Sequence, residues 1–302
     1  MPHRTSARGL VSVLLLVSLA AVAGTASARA ATGGVPQPGV PQPKAGVPQL
    51  VFPVVGQVSY TDDFGDPRGG LRHEGNDLMA PKRSTAVAVE PGTVKFWTTS
   101  ANAGCMLYLE GDSGTEYMYI HLNNDVTLEN DNRGKCVAGT AYAAGLKSGD
   151  HVEAGQPVGL VGDSGDANGI ASHLHFEVHP RGGKAVDPFP FLKKAKRLLI
   201  AAPPAGALFT LKLQGTVAST ADNQLDVNVD SLQSWPSHLK VTKVAKLVSV
   251  DVPFEATILP APLGSALPGQ KVSVWTLPSP PTLSALIGAP LALSAQKVLF
   301  GK

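Results

Sequence analysis

Five residues have the types and spacings that could bind a metal ion and put it to use: His73 and Asp77 in LRHEGNDL, His121 in YMYIHL, and His173 with His175 in SHLHFEV. Borderline divalent ions are held by a few neutral imidazoles plus one carboxylate, which makes these side chains candidate donors. Three protein donors would leave one tetrahedral position for water, the arrangement of catalytic rather than structural sites. Water activated by such an ion becomes a nucleophile near neutral pH, and imidazoles left uncoordinated can accept its proton or hydrogen-bond a developing oxyanion. That chemistry suits amide hydrolysis. Taken singly each residue has an ordinary reading, His121 as a strand residue and Asp77 as a turn cap. Their conjunction, in one chain order and in matching local patterns, favours a metal site.

The elements that must position these residues are short. Gly75 and Asn76 argue against a helix through HxxxD, so His73 and Asp77 are expected to meet across a turn or loop edge. In SHLHFEV, Leu174, Phe176 and Val178 alternate with His173, His175, Glu177 and His179, as in a half-buried strand, which puts both imidazoles of HxH on one face. A strand rises about 3.3 Å per residue, so His179 lies roughly 13 Å beyond His175 and is excluded as a ligand. YMYIHL alternates too, and strict alternation aims Tyr119 and His121 to one side and Met118 and Ile120 to the other.

With these segments in view, the stretch from about Phe52 to Leu192 resembles the lysostaphin/LytM-type zinc metalloendopeptidases, which cut peptides in bacterial peptidoglycan. The likeness also includes APKRSTAVAVEPGTV, GDHVEAGQPVGLVGDSG and the closing AVDPFPFL. It implies one Zn2+ per catalytic domain, with His73, Asp77 and His175 as zinc ligands. It implies that His121 and His173 are catalytic, orienting the water and stabilising the tetrahedral intermediate. It also implies an antiparallel sheet with an open zinc groove. The sequence departs from the family pattern at Asn76, where an aliphatic residue is usual. The loop Gly162–Ser172 is longer than usual, and an insertion of about Asn123–Lys147 follows YIHL. These loops bear on specificity more than on activity.

GDSG occurs twice, at 111–114 and 162–165, and resembles the nucleophile segment of chymotrypsin-like serine proteases. No accompanying histidine segment of that kind is present, so these are read as turns. The two cysteines, Cys105 and Cys136, are expected to form a disulfide in an exported chain, tying the insertion back to the preceding strand.

The 302 residues, 43% hydrophobic and 16% charged, allow about two packed domains. Arg4 and Arg8, an apolar stretch from Leu10 to Gly24 and the small residues around Ala28 and Ala30 read as a cleavable signal peptide over 1–30. The apolar run is shorter than the roughly 20 residues that span hydrocarbon. Removing residues 1–30 takes away three of the 25 basic residues and none of the 23 acidic ones, leaving 22 against 23. A near-neutral chain without a basic stripe has no electrostatic footprint for nucleic acid, and KKAKR at Lys193–Arg197 reads as a solvated edge.

Residues 31–49 carry three copies of GVPQ and read as an extended spacer. The expected organisation continues with the peptidase domain over 50–197, a linker over 198–206 and a small β-rich accessory domain over 207–302. The accessory domain is read as a barrel or sandwich with a weakly patterned tail from Pro278. The fold class is therefore all β, with a short helix expected near Phe191–Ile200. The reading is a secreted, cell-envelope zinc endopeptidase acting on peptidoglycan peptides, without stable membrane insertion after signal cleavage; its accessory domain could bind the wall or a partner. The alternative is a catalytically silent protein of the same fold that binds the wall or activates a hydrolase.

Overall fold

The structure is a computed structural model describing residues 46–98, 100–204 and 206–301. The signal segment and most of the GVPQ spacer lie outside the described residues. No described helix is long and apolar enough to cross a membrane.

The described residues of the chain are nearly all β. In its first half the strands are β1 (Pro67–Arg68), β2 (Leu71–Arg72), β3 (Asn76–Met79), β4 (Thr85–Val87), β5 (Gly92–Trp97), β6 (Cys105–Gly111), β7 (Thr115–Leu122), β8 (His151–Val152), β9 (Pro157–Leu160) and β10 (His173–Pro180). Six of them form one antiparallel sheet in the order β3-β10-β7-β6-β5-β8, while β1–β2 and β4–β9 pair separately. One face of the sheet is the core: Leu78, Leu107, Leu109, Tyr117, Tyr119, Leu174, Phe176 and Val178 are all buried in it. On β10 the alternation read from SHLHFEV holds, so the residues between those core positions project to the opposite face.

A disulfide joins Cys105 on β6 to Cys136 in the insertion after β7, closing a separation of 31 residues. The insertion has a second anchor in Tyr142, whose ring stacks on Phe96 at 3.7 Å and whose hydroxyl donates to the Met106 carbonyl. Loop-closure entropy gives the disulfide about 3 to 4 kcal/mol at most. The Cys105→Ser/Cys136→Ser double variant should therefore unfold at lower denaturant, with an m-value equal or larger because the unfolded chain is no longer closed into a loop. An unshifted midpoint would contradict this.

Helix α1 (Phe189–Lys194) begins after Pro188 and ends earlier than the sequence suggests, with Ala195 already extended. The following Leu198, Leu199 and Ile200 are buried in a second core. In the KKAKR run, the Arg197 guanidinium lies 3.8 Å above the Phe52 ring.

The second core belongs to β11 (Thr210–Ala221), β12 (Gln224–Trp235), β13 (Lys240–Asp251), β14 (Thr257–Leu259), β15 (Lys271–Thr276) and β16 (Leu293–Phe300), with the one-turn helix α2 (Leu283–Leu286) before the last strand. The order is β13-β12-β11-β15-β16-β14, and a β13–β16 pairing closes the sheet on itself. The weakly patterned tail thus contributes β16, paired on both sides, with Leu293, Ala295, Val298 and Phe300 buried. A register irregularity between Trp275 and Thr276 of the partner strand accompanies the phase shift that hides its alternation.

Candidate metal centre

β10 and its two neighbours bring the candidate residues together. His175 pairs with Asp77 across β10–β3 and with Ile120 across β10–β7, so these three side chains share the groove face. His73 precedes β3 and reaches the same point. His73 Nε2, Asp77 Oδ1 and His175 Nδ1 lie 2.9 to 3.1 Å from one another and form a group that could hold a metal ion. Gly75 makes this approach possible, since a Cβ there would lie 2.7 Å from His175 Nε2 and 2.6 Å from the Phe176 carbonyl oxygen.

His121 reaches the groove in a way that alternation did not anticipate. Tyr119 faces the core, its ring 5.4 Å from Phe176 and its hydroxyl donating to the Val87 carbonyl, so a regular strand would bury His121 beside it. Instead His121 has φ +60°, a left-handed conformation costing about 1 kcal/mol or more, and its ring turns to within 5.1 Å of His173 and 5.9 Å of His175. The expectation that Tyr119 and His121 share a face is thereby corrected.

Each of the four imidazoles has one ring nitrogen committed away from the centre. His73 Nδ1 donates to the Asp63 carbonyl, His121 Nδ1 to the Ser164 carbonyl, His173 Nδ1 to the Ala171 carbonyl, and His175 Nε2 to Glu177 Oε1, all at 2.8 to 2.9 Å. These partners orient the rings, and the second nitrogen of each faces the groove. His173 Nε2 stands 3.8 Å from Asp77 Oδ1, and His121 Nε2 stands 3.6 Å from Asp166 Oδ1.

The electrostatics follow from this geometry. Burial alone would raise the Asp77 carboxyl, but its hydrogen bonds with His175 and His73 hold it far below the usual carboxylate range. Burial also opposes charge on His175, yet Asp77 and Glu177 on either side raise it to about 9. His121 is driven down to about 4, first by burial and then by its neighbours His173 and His175. Glu177 is held at about 2, because hydrogen bonds from His175 and His179 outweigh its burial.

Several contributors escaped sequence reasoning. Glu177 takes His175 on one oxygen and His179 on the other, the latter at 2.6 Å, so the excluded His179 supports the centre without touching it. Asn76, the departure from the family pattern, is fully buried and its amide donates to Thr61 O and Asp63 Oδ1, pinning the loop whose carbonyl orients His73. Arg68 Nη2 donates to Asp77 Oδ2 at 2.7 Å. Ser164, in the second GDSG, has its hydroxyl between Leu122 O and Cys105 N, while its carbonyl orients His121. Only the Glu177/His179 alternation was a usable signal; the others act across loops distant in sequence.

The groove has a volume of about 750 Å3, and its walls include Arg68, Leu71, Asn102, His121, Asp166 and Ile170. Residues 71–188 match the model of peptidase family M23. Over 161 residues the chain is 30% identical to the L-Ala–D-Glu endopeptidase of Bacillus subtilis (strain 168), covering 48% of this chain and 43% of that protein. It therefore spans less than half the length of that relative. It is similar to the solved catalytic domain of lysostaphin from Staphylococcus simulans, 27% identical over 45% of this chain and 92% of that one, with a TM-score of 0.35. It is also similar to a zinc-containing peptidase from Vibrio cholerae, 24% identical over 46% of this chain and 39% of that one, with a TM-score of 0.34.

Proposed function

We propose that this chain, carrying a peptidase family M23 domain over residues 71–188, is a zinc-dependent endopeptidase of the cell envelope that hydrolyses peptide bonds in peptidoglycan. One observation carries the reading. His73 Nε2, Asp77 Oδ1 and His175 Nδ1 converge to 2.9 to 3.1 Å of one another, while the other nitrogen of each ring is held by an oxygen outside the centre. A cation must hold these groups so close, a proton on His175 in the metal-free protein or a metal ion in its place, and two imidazoles with one carboxylate are a donor set suited to zinc. The relative's L-Ala–D-Glu activity supports a stem-peptide bond as the target.

In this reading His73, Asp77 and His175 hold zinc, which when bound activates water and polarises the scissile carbonyl. His121 and His173 keep their Nε2 atoms free for the reaction. Held at about 4, His121 is neutral at working pH, so its Nε2 can accept a proton and return it to the leaving amine. His173, when it carries a proton on Nε2 as well as on Nδ1, is placed to donate a hydrogen bond to the oxyanion. The β11–β16 domain is proposed to hold the enzyme at the wall. Defined muropeptides incubated with zinc-loaded protein should be split at one peptide bond, giving fragments whose masses sum to that of the parent plus one water. No cleavage of any stem or cross-bridge would overturn the proposal.

Two further outcomes follow from the donor set. Glu177→Gln loses the charged acceptor behind His175 and should weaken zinc binding about ten- to a hundredfold in a chelator competition; unchanged affinity would contradict this. Metal-free His175 keeps a proton up to about pH 9 and must release it to ligate zinc. Apparent zinc affinity should thus weaken about tenfold per unit as pH falls below 9. The metal-free fold has the opposite slope. Its His175 value lies above the unfolded value of about 6.5, so that contribution to stability is complete below pH 6.5 and is lost as pH rises through 9. Calorimetric titration and melting across this window measure both.

A further inference from the structure

Two arginines line the groove without a task in the hydrolytic reading: Arg72 donates to the Gly65 carbonyl, while Arg68 reaches the centre itself. Arg68 and Leu71 are opposed across the β1–β2 hairpin, whose Gly69–Gly70 turn has φ +54° and +96°, so both side chains project from the same face of the hairpin. Both line the groove, and Arg68 is half exposed. Its position is built. Nη2 lies 2.7 Å from Asp77 Oδ2 and 3.5 Å from Asp63 Oδ2, and Asp63 is itself tied through its other oxygen to the buried Asn76 amide. Among the described residues, all its hydrogen bonds and ion pairs run through Nη2, leaving Nη1 and Nε free to donate. Across the groove the charge reverses, since Asp166 is largely exposed beside His121.

We propose that Arg68 is a specificity residue that binds a free carboxylate on the substrate beside the scissile amide, so that the chain prefers peptides with an ionised acidic residue there over their carboxamide counterparts. The inference rests on the peptidase reading and names its substrate class. The guanidinium keeps its charge and unengaged donors at Nη1 and Nε, which favour a carboxylate, whereas a carboxamide offers a single uncharged acceptor and turns an N–H toward the cation. Asp77 and Asp63 hold Nη2 and so fix the direction in which Nη1 and Nε point.

The test uses two muropeptides that differ only in whether their glutamate carries a free α-carboxylate or a carboxamide. Wild-type kcat/KM should favour the carboxylate form about ten- to a hundredfold. Arg68→Gln should bring the ratio to within about threefold of unity, mainly through KM for the acidic peptide, and Arg68→Lys should recover part of it. Zinc content and melting temperature of each variant separate this from damage to Asp77. A wild-type ratio near one, or an equal loss on both peptides in Arg68→Gln, overturns the inference and leaves the peptidase reading standing. Cleavage of neither peptide by zinc-loaded wild type would instead remove the peptidase reading and the inference together.

Discussion

His175→Ala is expected to leave a folded protein that neither retains zinc nor turns over substrate. In the proposed ligand set the side chain supplies one of three donors, and it is flanked by Asp77 and Glu177. Zinc binding by four protein ligands contributes roughly 10 to 16 kcal/mol, or about 3 kcal/mol per ligand, so affinity should fall by two to three orders of magnitude. Folding should survive, because His175 projects from the groove face while Leu174 and Phe176 hold β10 in the core. Glu177 keeps its bond to His179. Atomic absorption on dialysed protein and assay with excess zinc check the two halves of the expectation. A variant with full zinc content would remove His175 from the ligand set.

Opposite behaviour is expected of His121→Ala and His173→Ala. Each should retain about one zinc and lose about 10^2- to 10^4-fold in kcat with KM little changed, the size of effect that a proton-transfer group or an oxyanion donor supplies. The reason is geometric. The free nitrogen of His173 stands 3.8 Å from the nearest Asp77 oxygen, compared with 3.1 Å for His73 and His175. His121 lies further along the groove, beside Asp166. The His121 variant carries a second signature: it leaves the buried Ser164 carbonyl without its donor, so its melting temperature should fall by several degrees while zinc is retained. Loss of zinc in either variant would make that residue a ligand and require another proton carrier.

The strands and one face of the site were legible because alternation is a local property. In SHLHFEV, apolar residues of period two announce both a strand and its buried side, and the structure has His173, His175, Glu177 and His179 on the other side. The same rule misplaced His121, because a single left-handed residue inverts the face without changing any residue type. It was silent on β16, whose partner strand slips register at Trp275. The supports of the site were illegible for a different reason. Ser164, Asp63 and Ala171 orient imidazoles through backbone carbonyls, which every residue possesses, and Asn76 appeared only as a departure from a pattern. Arg68 sits in a hairpin strand just before LRHEGNDL, and nothing local announces that its guanidinium will meet Asp77.

Diffraction from crystals of zinc-loaded wild-type protein, with data on both sides of the zinc absorption edge, tests the central claim most directly. The account predicts one anomalous peak per chain, bounded by His73 Nε2, Asp77 Oδ1 and His175 Nδ1. A map without a peak there, or with its peak on His121 and His173, would contradict it.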